Sequence, residues 1–576
     1  MLKINRNNLS EDLSPYLQQH KKNPVNWQVW SKETLDFAKE KKFPILLSIG
    51  YASCHWCHVM AHESFEDKAT TNLMNKYFVN IKVDREERPD IDYVFQSSYQ
   101  LFNQSGGGWP LTVFLDENAI PFMAGTYFPK ESSHGLPSFK EVILKVGNTY
   151  IKQREEIIKQ SHIISKSLEL KKSLVLNQDL ESILQKTMLS LDEKRGGYKG
   201  SPKFPIFNIY DVLLFFFNKT KKIEYLESVE LILKQLCSQG IYDHVEGGIS
   251  RYTVDENWLI PHFEKMLYDN AQFILLLSKF IKVKKNDYFE KKIIQTIDFI
   301  NKNFINLENK LLGSAYDADS DGEEGKYYVF SYAELNKIKD IDQYFDVKPE
   351  GNWEKKIILK EIKTPTKSVI SELKKLREKK IKPFFDNKIQ LDLNCLWVSA
   401  LTYAEQVLPN NNFLKTAETY CENLDKVFFN KEKLQHTTVK SDVFLEDYAY
   451  SIAMFLDLYD QTLKPNYLFK AKELCKKANE LFYIKEKSIF QKNILTSNDL
   501  FHKPIDISDG NIPNGNSIML LNFSRLNMKK EAAELSNSLN GYLNIYKSSM
   551  ASAIKSIDHF NTVDSNKKCT EEGCSI

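Results

Sequence analysis

Apolar and polar residues follow two different rhythms along this chain, and the change of rhythm divides it. Between Asn23 and Pro129 the periods are mixed. "WSKETLDFAKEKK" repeats apolar positions three to four residues apart, which predicts a helix. "FPILLSIGY" is an apolar run of strand length with Pro44 near its start. Helical spacing returns through Cys54, Cys57, His58, Ala61 and Phe65. "FVNIKVDRE" predicts a second strand on Phe78, Val79, Ile81 and Val83. "PDIDYVFQSSYQLFNQ" predicts a helix whose first turn suits Pro89. After the break "GGGWP", the segment "LTVFLDENAIPFMAGTYF" predicts two strands around a turn at Asp116–Asn118. This order of elements describes an α/β domain.

After Pro137 the strand period fades. Segments such as "FKEVILKVGNTYIKQREEIIKQ", "YLESVELILKQLCSQ", "MLYDNAQFILLLSKFIKV" and "DVFLEDYAYSIAMFLDLYDQTL" carry apolar residues at helical spacing. Their lengths recur without a strict sequence period, so the chain does not read as an obvious solenoid of identical units. Between them lie Gly-rich, aromatic and acidic loops: "RGGYKGSPKFP", "HVEGGISRYTVDENWLIPHFEK", "YDADSDGEEGKYYVF" and "DISDGNIPNGNS". Such loops on a helical scaffold are candidate binding surfaces.

The bulk numbers narrow the class. A chain of 576 residues exceeds one ordinary core, and 42% hydrophobic with 27% charged residues describes a soluble globular protein. A net charge of +2 without a basic stripe argues against a nucleic-acid partner. The start, "MLKINRNNLSEDLSPYLQQH", has no apolar core of a secretory signal, and no apolar run approaches the ~18 residues of a membrane span. The expectation is a cytoplasmic protein that engages no membrane and keeps its thiols reduced. Cys237, Cys421 and Cys475 sit in helix-like stretches and read as packing residues; Cys569 and Cys574 lie in a polar tail with Cys395 scattered apart.

The stretch "SIGYASCHWCHVMAHESFE" admits several chemistries. C-H-W-C-H fits covalent haem attachment, but that chemistry belongs outside the cytoplasm. Cys54, Cys57, His58 and His62 could bind zinc, yet all four would come from one helix, whereas structural zinc sites join separated segments. Two packing cysteines are the bland reading. The redox reading explains more. Cys54 at or near the first helical position, with Ser53 as cap, meets the positive end of the helix dipole, which favours thiolate. Cys57, one turn later, can resolve a mixed disulfide formed by Cys54, and His55 and His58 favour thiolate when protonated. This role requires the Cys54 sulfur to be reachable and unligated.

The segments "NPVNWQVW", "PILLSIGYASCHWCHVMAHESFED", "VNIKVDREERPDID", "GGGWPLTVFLDENAIPFMAGTYFP", "GGYKGSPKFP", "IYDHVEGGISRYTVDENWLIPHFEKMLYDNAQ", "SAYDADSDGEEGKYYVFSYAEL" and "LEDYAYSIAMFLDLYD" together resemble the YyaL-type family, relatives of the spermatogenesis-associated thioredoxin-like protein of animals. The resemblance implies a multidomain α/β plus all-α chain: a thioredoxin-like fold over 1–165, an (α/α)6 toroid resembling six-hairpin glycosidases and sugar epimerases over 166–560, and a polar tail over 561–576. It implies a cis Pro110 facing the dithiol, so that Trp56, Trp109 and Pro110 meet the substrate chain. Two departures stand out. Thioredoxins place a buried carboxylate six residues before the first cysteine, where this chain has Ser48. The family pattern DDKILTSWNGL appears here as "DNKIQLDLNCL", Asp386 to Leu396.

The acidic loops offer further candidates. Asp317, Asp319, Asp321 and Gly322 fit positions 1, 3, 5 and 6 of a calcium loop, but position 12 is Tyr328 in place of Glu. In "HFEKMLYDNAQ", His262, Glu264, Tyr268 and Asp269 combine acid/base groups with a ring, as a sugar cleft needs. Asp243, His244, Arg251, Glu446 and Asp447 are candidates to join them; structural pairing at helix ends is the competing reading.

The leading expectation is thiol–disulfide exchange by catalytic Cys54 and Cys57 with an unidentified protein dithiol or disulfide partner. No cofactor and no metal are expected. The rival readings are a carbohydrate-active enzyme, with substrate at His262, Glu264, Tyr268, Asp269, Asp317, Asp319 and Asp447, and a non-catalytic binding protein.

Overall fold

A computed structural model describes residues 4–133, 135–171, 179–429, 433–440 and 442–571. The chain divides into two compact units. The first comprises Met1–Leu170 together with Val439–Phe444 and Gln491–Ile505; the second comprises Lys171–Thr438, Leu445–Phe490 and Asp506–Ile576.

The first unit is built on five strands: β1 (Trp27–Gln28), β2 (Ile45–Gly50), β3 (Val79–Asp84), β4 (Leu111–Leu115) and β5 (Pro121–Gly125). Their order is β1-β3-β2-β4-β5, with β1, β3 and β2 parallel and β4 and β5 antiparallel, the arrangement of a thioredoxin-like sheet. The four longer strands match the sequence reading; β1, two residues long, was too short to leave a period. Helices cover both sheet faces. Against one face lie α2 (Lys32–Lys41) and α5 (Pro89–Asn103), meeting Ile45, Leu47, Ile49, Ile81, Val83 and Val113. Against the other lie α1 (Pro15–Gln19), α3 (His55–Met60), α4 (Lys68–Tyr77) and α6 (Phe139–Ser167), around Leu46, Phe78 and Phe114. Local chemistry fixes their starts. Ser31 and Asp67 accept from backbone N–H groups of the first turns of α2 and α4, and Ser138 with Glu141 forms a capping box on α6. The distant segments belong to this body through side chains: Arg88 pairs with Asp90 and Asp499, Asn493 donates to Asp90, and Lys440 pairs with Glu87 and Asp12.

The second unit is a closed ring of helices. The inner ones are α8 (Phe207–Thr220), α10 (Leu267–Val283), α14 (Leu391–Val407), α16 (Leu445–Thr462), α18 (Gly515–Arg525) and α20 (Ala551–Glu571). Each packs on the next, and α20 closes on α8. Outer partners are α9 (Ile223–Ser238), α11 (Asp287–Asn303), α15 (Phe413–Leu424), α17 (Pro465–Phe482), α19 (Lys529–Tyr546) and α7 (Leu180–Met188), giving the (α/α)6 toroid. Sequence patterning explains the layers. The inner α10 buries residues on every side, whereas the outer α11 buries a stripe of Phe289, Ile293, Thr296, Ile297 and Ile300. Between α11 and α14 the chain adds short hairpins, α12 (Tyr332–Leu335) and α13 (Lys367–Arg377), around their own core of Phe330, Leu335, Phe345 and Leu373. Among the described residues no helix is long and apolar enough to cross a membrane. The final helix runs through Glu571; Cys574 lies outside the described residues.

Candidate functional site

Two constellations stand out, one in each unit. In the first, β2 runs directly into the cysteine stretch. Cys54 is the cap of α3 and His55 its first residue, so Ser53 is not the cap as the sequence suggested. Its Sγ accepts from the Cys57 N–H at 3.3 Å, a proton that the Cys54 carbonyl shares at 3.0 Å. The helix is short and passes into a π-turn, Ala61–Phe65.

Both sulfurs are more enclosed than the sequence reading required. Cys54 is 3% exposed and Cys57 1% exposed. The expectation of an open attacking sulfur is therefore corrected: a partner must reach an atom that is nearly covered. Trp56, by contrast, is 45% exposed, its ring 5.1 Å from that of Tyr127. The Trp109–Pro110 peptide is cis, as expected, and Pro110 is buried. The Trp109 indole donates to Asp92 Oδ1 at 2.8 Å and lies under the Arg85 guanidinium at 4.0 Å.

Beneath the dithiol lies a group that sequence reasoning missed. Lys82 on β3 stands beside Ser48 on β2, the position expected to hold a carboxylate, and donates to its Oγ at 3.0 Å. It is 1% exposed. The rings of Phe65, Tyr16 and Trp27 lie 4.5, 5.0 and 5.1 Å from its nitrogen. Burial drives its pKa down to about 7, and the charges that hold it up are those of Cys57 and Cys54. Cys57 in turn falls below the ordinary thiol range. Burial alone would raise it, but the hydrogen bond with Cys54, the charges of Lys82 and His58, and the Tyr51 backbone outweigh that. Because the two sulfurs share a proton, the lowered affinity belongs to the pair. Elsewhere burial wins: Cys421 and Cys475 are pushed up to about 12, and Cys237 and Cys395 also rise. Tyr16 closes the pocket, its own pKa raised by burial and by both cysteines. The fit at Gly50 is tight, since a Cβ there would come within 2.2 Å of the Tyr16 hydroxyl and 2.7 Å of Cys57 Sγ.

The zinc reading gains nothing. His62 pairs with Glu66 at 3.2 Å on the exposed side. Among the described residues, the group of His, Cys, Asp and Glu close enough to hold an ion is Asp392, His436 and Asp447, in the second unit.

In that unit direct contacts sort the predicted residues. Glu264 accepts from Arg251 at 3.0 Å, and His262, in the short buried strand Pro261–His262, lies 2.6 Å from Glu324. Asp317 Oδ1 accepts from the Asp319 N–H at 3.1 Å. Asp319–Ser320 and Glu323–Glu324 form a hairpin turning at Asp321 and Gly322, both with positive φ, and Lys326 binds Asp321 and Glu323. A tight hairpin with an internal cation is not a calcium loop, so that reading falls. Asp243 accepts from Arg377 and Lys265, and His244 sits with Glu361 and Lys292, which are structural pairings.

The second constellation lies at the starts of inner helices. Tyr268 and Asp269 stand in the first turn of α10, Asp392 in that of α14, and Glu446 and Asp447 in that of α16. Helix dipoles favour anions there. His436 enters from the preceding loop, its Nδ1 2.8 Å from Asp447 and 3.9 Å from Asp392. The His436 carbonyl accepts from the Leu391 N–H, and Gln390 bridges Thr437, which clamps the loop to α14. Asp392 is pushed up to about 7 by burial and by the Asp447 and Glu446 carboxylates, against the pull of His436. Asp392 and His436 were missed because three separated segments supply the group. Asp392 falls within the altered "DNKIQLDLNCL" stretch.

The family match falls on the first unit. Residues 6–169 match the family described as Thioredox_DsbH, a protein of unknown function, DUF255. Uncharacterized protein B0495.5 of Caenorhabditis elegans is 31% identical over 90% of this chain and 80% of its own length. Spermatogenesis-associated protein 20 of Homo sapiens is 28% identical over 90% and 76%. Among solved structures, cellobiose 2-epimerase from Bacillus thermoamylovorans has a TM-score of 0.42 at 13% identity, covering 64% of this chain and 87% of that one.

Proposed function

The chain belongs to the family of Caenorhabditis elegans B0495.5 and spermatogenesis-associated protein 20, and from that premise we propose that its first unit carries out thiol–disulfide exchange through Cys54 and Cys57. One observation carries the reading. Of the described cysteines buried to similar depth, Cys57 has its proton affinity lowered, and its neighbours in that effect are Cys54 and a buried cation. A packing cysteine gains nothing from such surroundings.

Cys54 is the attacking sulfur, since it caps the helix and lies beside the exposed Trp56. A proton passes from Cys54 to Cys57 along their hydrogen bond. The Cys54 thiolate attacks one sulfur of a partner disulfide and expels the other as thiolate. Cys57 then loses its proton and attacks Cys54 Sγ. The products are a Cys54–Cys57 disulfide and two partner thiols. The partner seats its chain along Trp109 and Pro110. The test is trapping: Cys57→Ser should hold a covalent mixed disulfide with a small protein disulfide, while Cys54→Ser should form none. Equal trapping by both variants, or none by either while the unmodified protein also fails to reduce the substrate, overturns the assignment.

A second reading rests on Asp392. A buried carboxyl titrating near neutrality beside an imidazole and a second carboxylate is equipped for proton transfer to a bound sugar. Isomerisation or hydrolysis of a carbohydrate, followed by NMR and lost in His436→Ala and Asp392→Asn, supports it; turnover unchanged in both variants removes it.

A further inference from the structure

Tyr16 joins the dithiol to Lys82: its hydroxyl and Cys57 Sγ crowd the same side of Gly50, and its ring lies 5.0 Å from the Lys82 nitrogen, so the charge balance around that ring changes with the oxidation state of sulfur. In the reduced couple a thiolate accompanies the buried ammonium. In the disulfide both sulfurs are neutral, and the ammonium keeps only the Ser48 hydroxyl and the faces of Tyr16, Trp27 and Phe65. Ring faces and one hydroxyl do not replace water around a buried cation.

The other titratable groups facing it do not supply the missing charge. Tyr16 on α1 is held neutral by burial, and His20, the residue that follows α1, is held neutral by burial and by Lys82 itself. His58 on α3 acts on Cys57 in the same sense as Lys82. Asp84, two residues along β3, is engaged by the Ser14 hydroxyl at 2.7 Å and the Glu86 N–H at 2.9 Å.

Resting on the exchange reading above, we propose that Lys82 is the proton carrier of the Cys54–Cys57 couple: charged while the couple is reduced, neutral once it is a disulfide. The balance is complete. Going to the disulfide, the couple gives two electrons to the partner disulfide, one proton leaves from sulfur and one from Lys82, and the partner leaves as two thiols. An external dithiol drives the reverse, returning two electrons while one proton settles on sulfur and one on the Lys82 amine. Lys82 thereby occupies the functional place left open by Ser48, with a base of opposite charge type.

The readout is the reduction potential of the full chain against pH, measured in glutathione or dithiothreitol buffers. Where the Lys82 amine is neutral in the disulfide but charged in the reduced couple, reduction takes up two protons per two electrons; above the reduced-state Lys82 value it is neutral in both forms and uptake returns to one. Below that window it stays charged throughout, and uptake falls to one while a thiolate persists. The unmodified protein should show this break, at a pH below the Lys82 value in the reduced state. In Lys82→Met the break should vanish, and alkylation of the couple by iodoacetamide at pH 6 should slow at least tenfold. In Lys82→Arg, whose charge cannot be shed, one-proton uptake should extend to higher pH. A break that persists in Lys82→Met, or a two-proton slope throughout in the unmodified protein, overturns the proposal. The potential curve of the unmodified protein decides it even where a variant fails to fold. If Cys54 and Cys57 exchange with no disulfide at all, the exchange reading itself is what fails.

Discussion

Lys82 and Asp392 reach the same end from opposite directions. Lys82 falls to about 7 because burial strips its water and only two sulfurs answer its charge. Asp392 climbs to about 7 because burial is joined by Asp447 and Glu446, which outweigh His436 and the Leu393 N–H pulling the other way. One pocket is short of anions and the other has too many. The comparison teaches that burial makes an ionisable group adjustable, while the sign of the surrounding charge decides whether the structure tolerates it. Asp243 is the control. It is buried to a like degree, but Arg377 and Lys265 both donate to it, and it stays well below the usual carboxylate range.

The largest expected effect breaks the first pocket alone. Gly50→Ala forces a methyl into Tyr16 and Cys57 and should cost about 3 kcal/mol. Gly106→Ala, where a Cβ meets nothing within 4 Å, should be close to neutral. Urea denaturation of both variants checks this, and equal stabilities would show that the pocket yields.

Stability against pH sharpens the contrast, because the two slopes have opposite sign. The unfolded chain keeps a lysine proton to about 10.4, whereas the folded reduced protein releases it from Lys82 near 7. Between those values the unfolded state binds more protons, so this contribution to stability rises with pH. For Asp392 the folded state holds the proton to about 7 and the unfolded state only to about 3.9, so its contribution falls as pH rises between them. Lys82→Met should flatten the alkaline slope between pH 7 and 9 and Asp392→Asn the acid one between pH 5 and 7, each by ~1–3 kcal/mol over that interval. Denaturation midpoints at pH 5, 7 and 9 separate them; a variant that leaves its slope intact contradicts the assignment of that residue.

The smallest effect lies at the surface. His62 and Glu66 pair where solvent screens them, so Glu66→Ala should change stability by less than about 0.5 kcal/mol. A larger loss, or a loss of zinc retention, would reopen the metal reading of the cysteine helix.

Much of the scaffold was legible because periodicity reports burial on one side. The four longer strands, the helices between them and the amphipathic outer helices of the toroid follow from spacing, whereas β1 left no period. Lys82 was not legible for the same reason. In "VNIKVD" the alternation reads as a strand with a wet face, and nothing local tells that α1 and α3 cover it. Cys54 was placed correctly at a helix start but one position too far inside it, and its enclosure depends on residues such as Tyr51, Phe128 and Met60 from several elements. Of the predicted sugar-cleft residues, Asp447 meets His436, which in turn approaches Asp392, and these partners lie 11 and 55 residues away, beyond any spacing rule. The calcium pattern failed because Asp321 and Gly322 turn a hairpin that already contains its cation, Lys326.

The segments Val439–Phe444 and Gln491–Ile505 have a practical consequence for anyone dissecting this protein. They lend the sheet-bearing body Asp499, Asn493 and Lys440, which answer Arg88, Asp90 and Glu87. A fragment cut after residue 170 would therefore lose part of its own interior wall. Its failure to act would report amputation rather than the chemistry of sulfur.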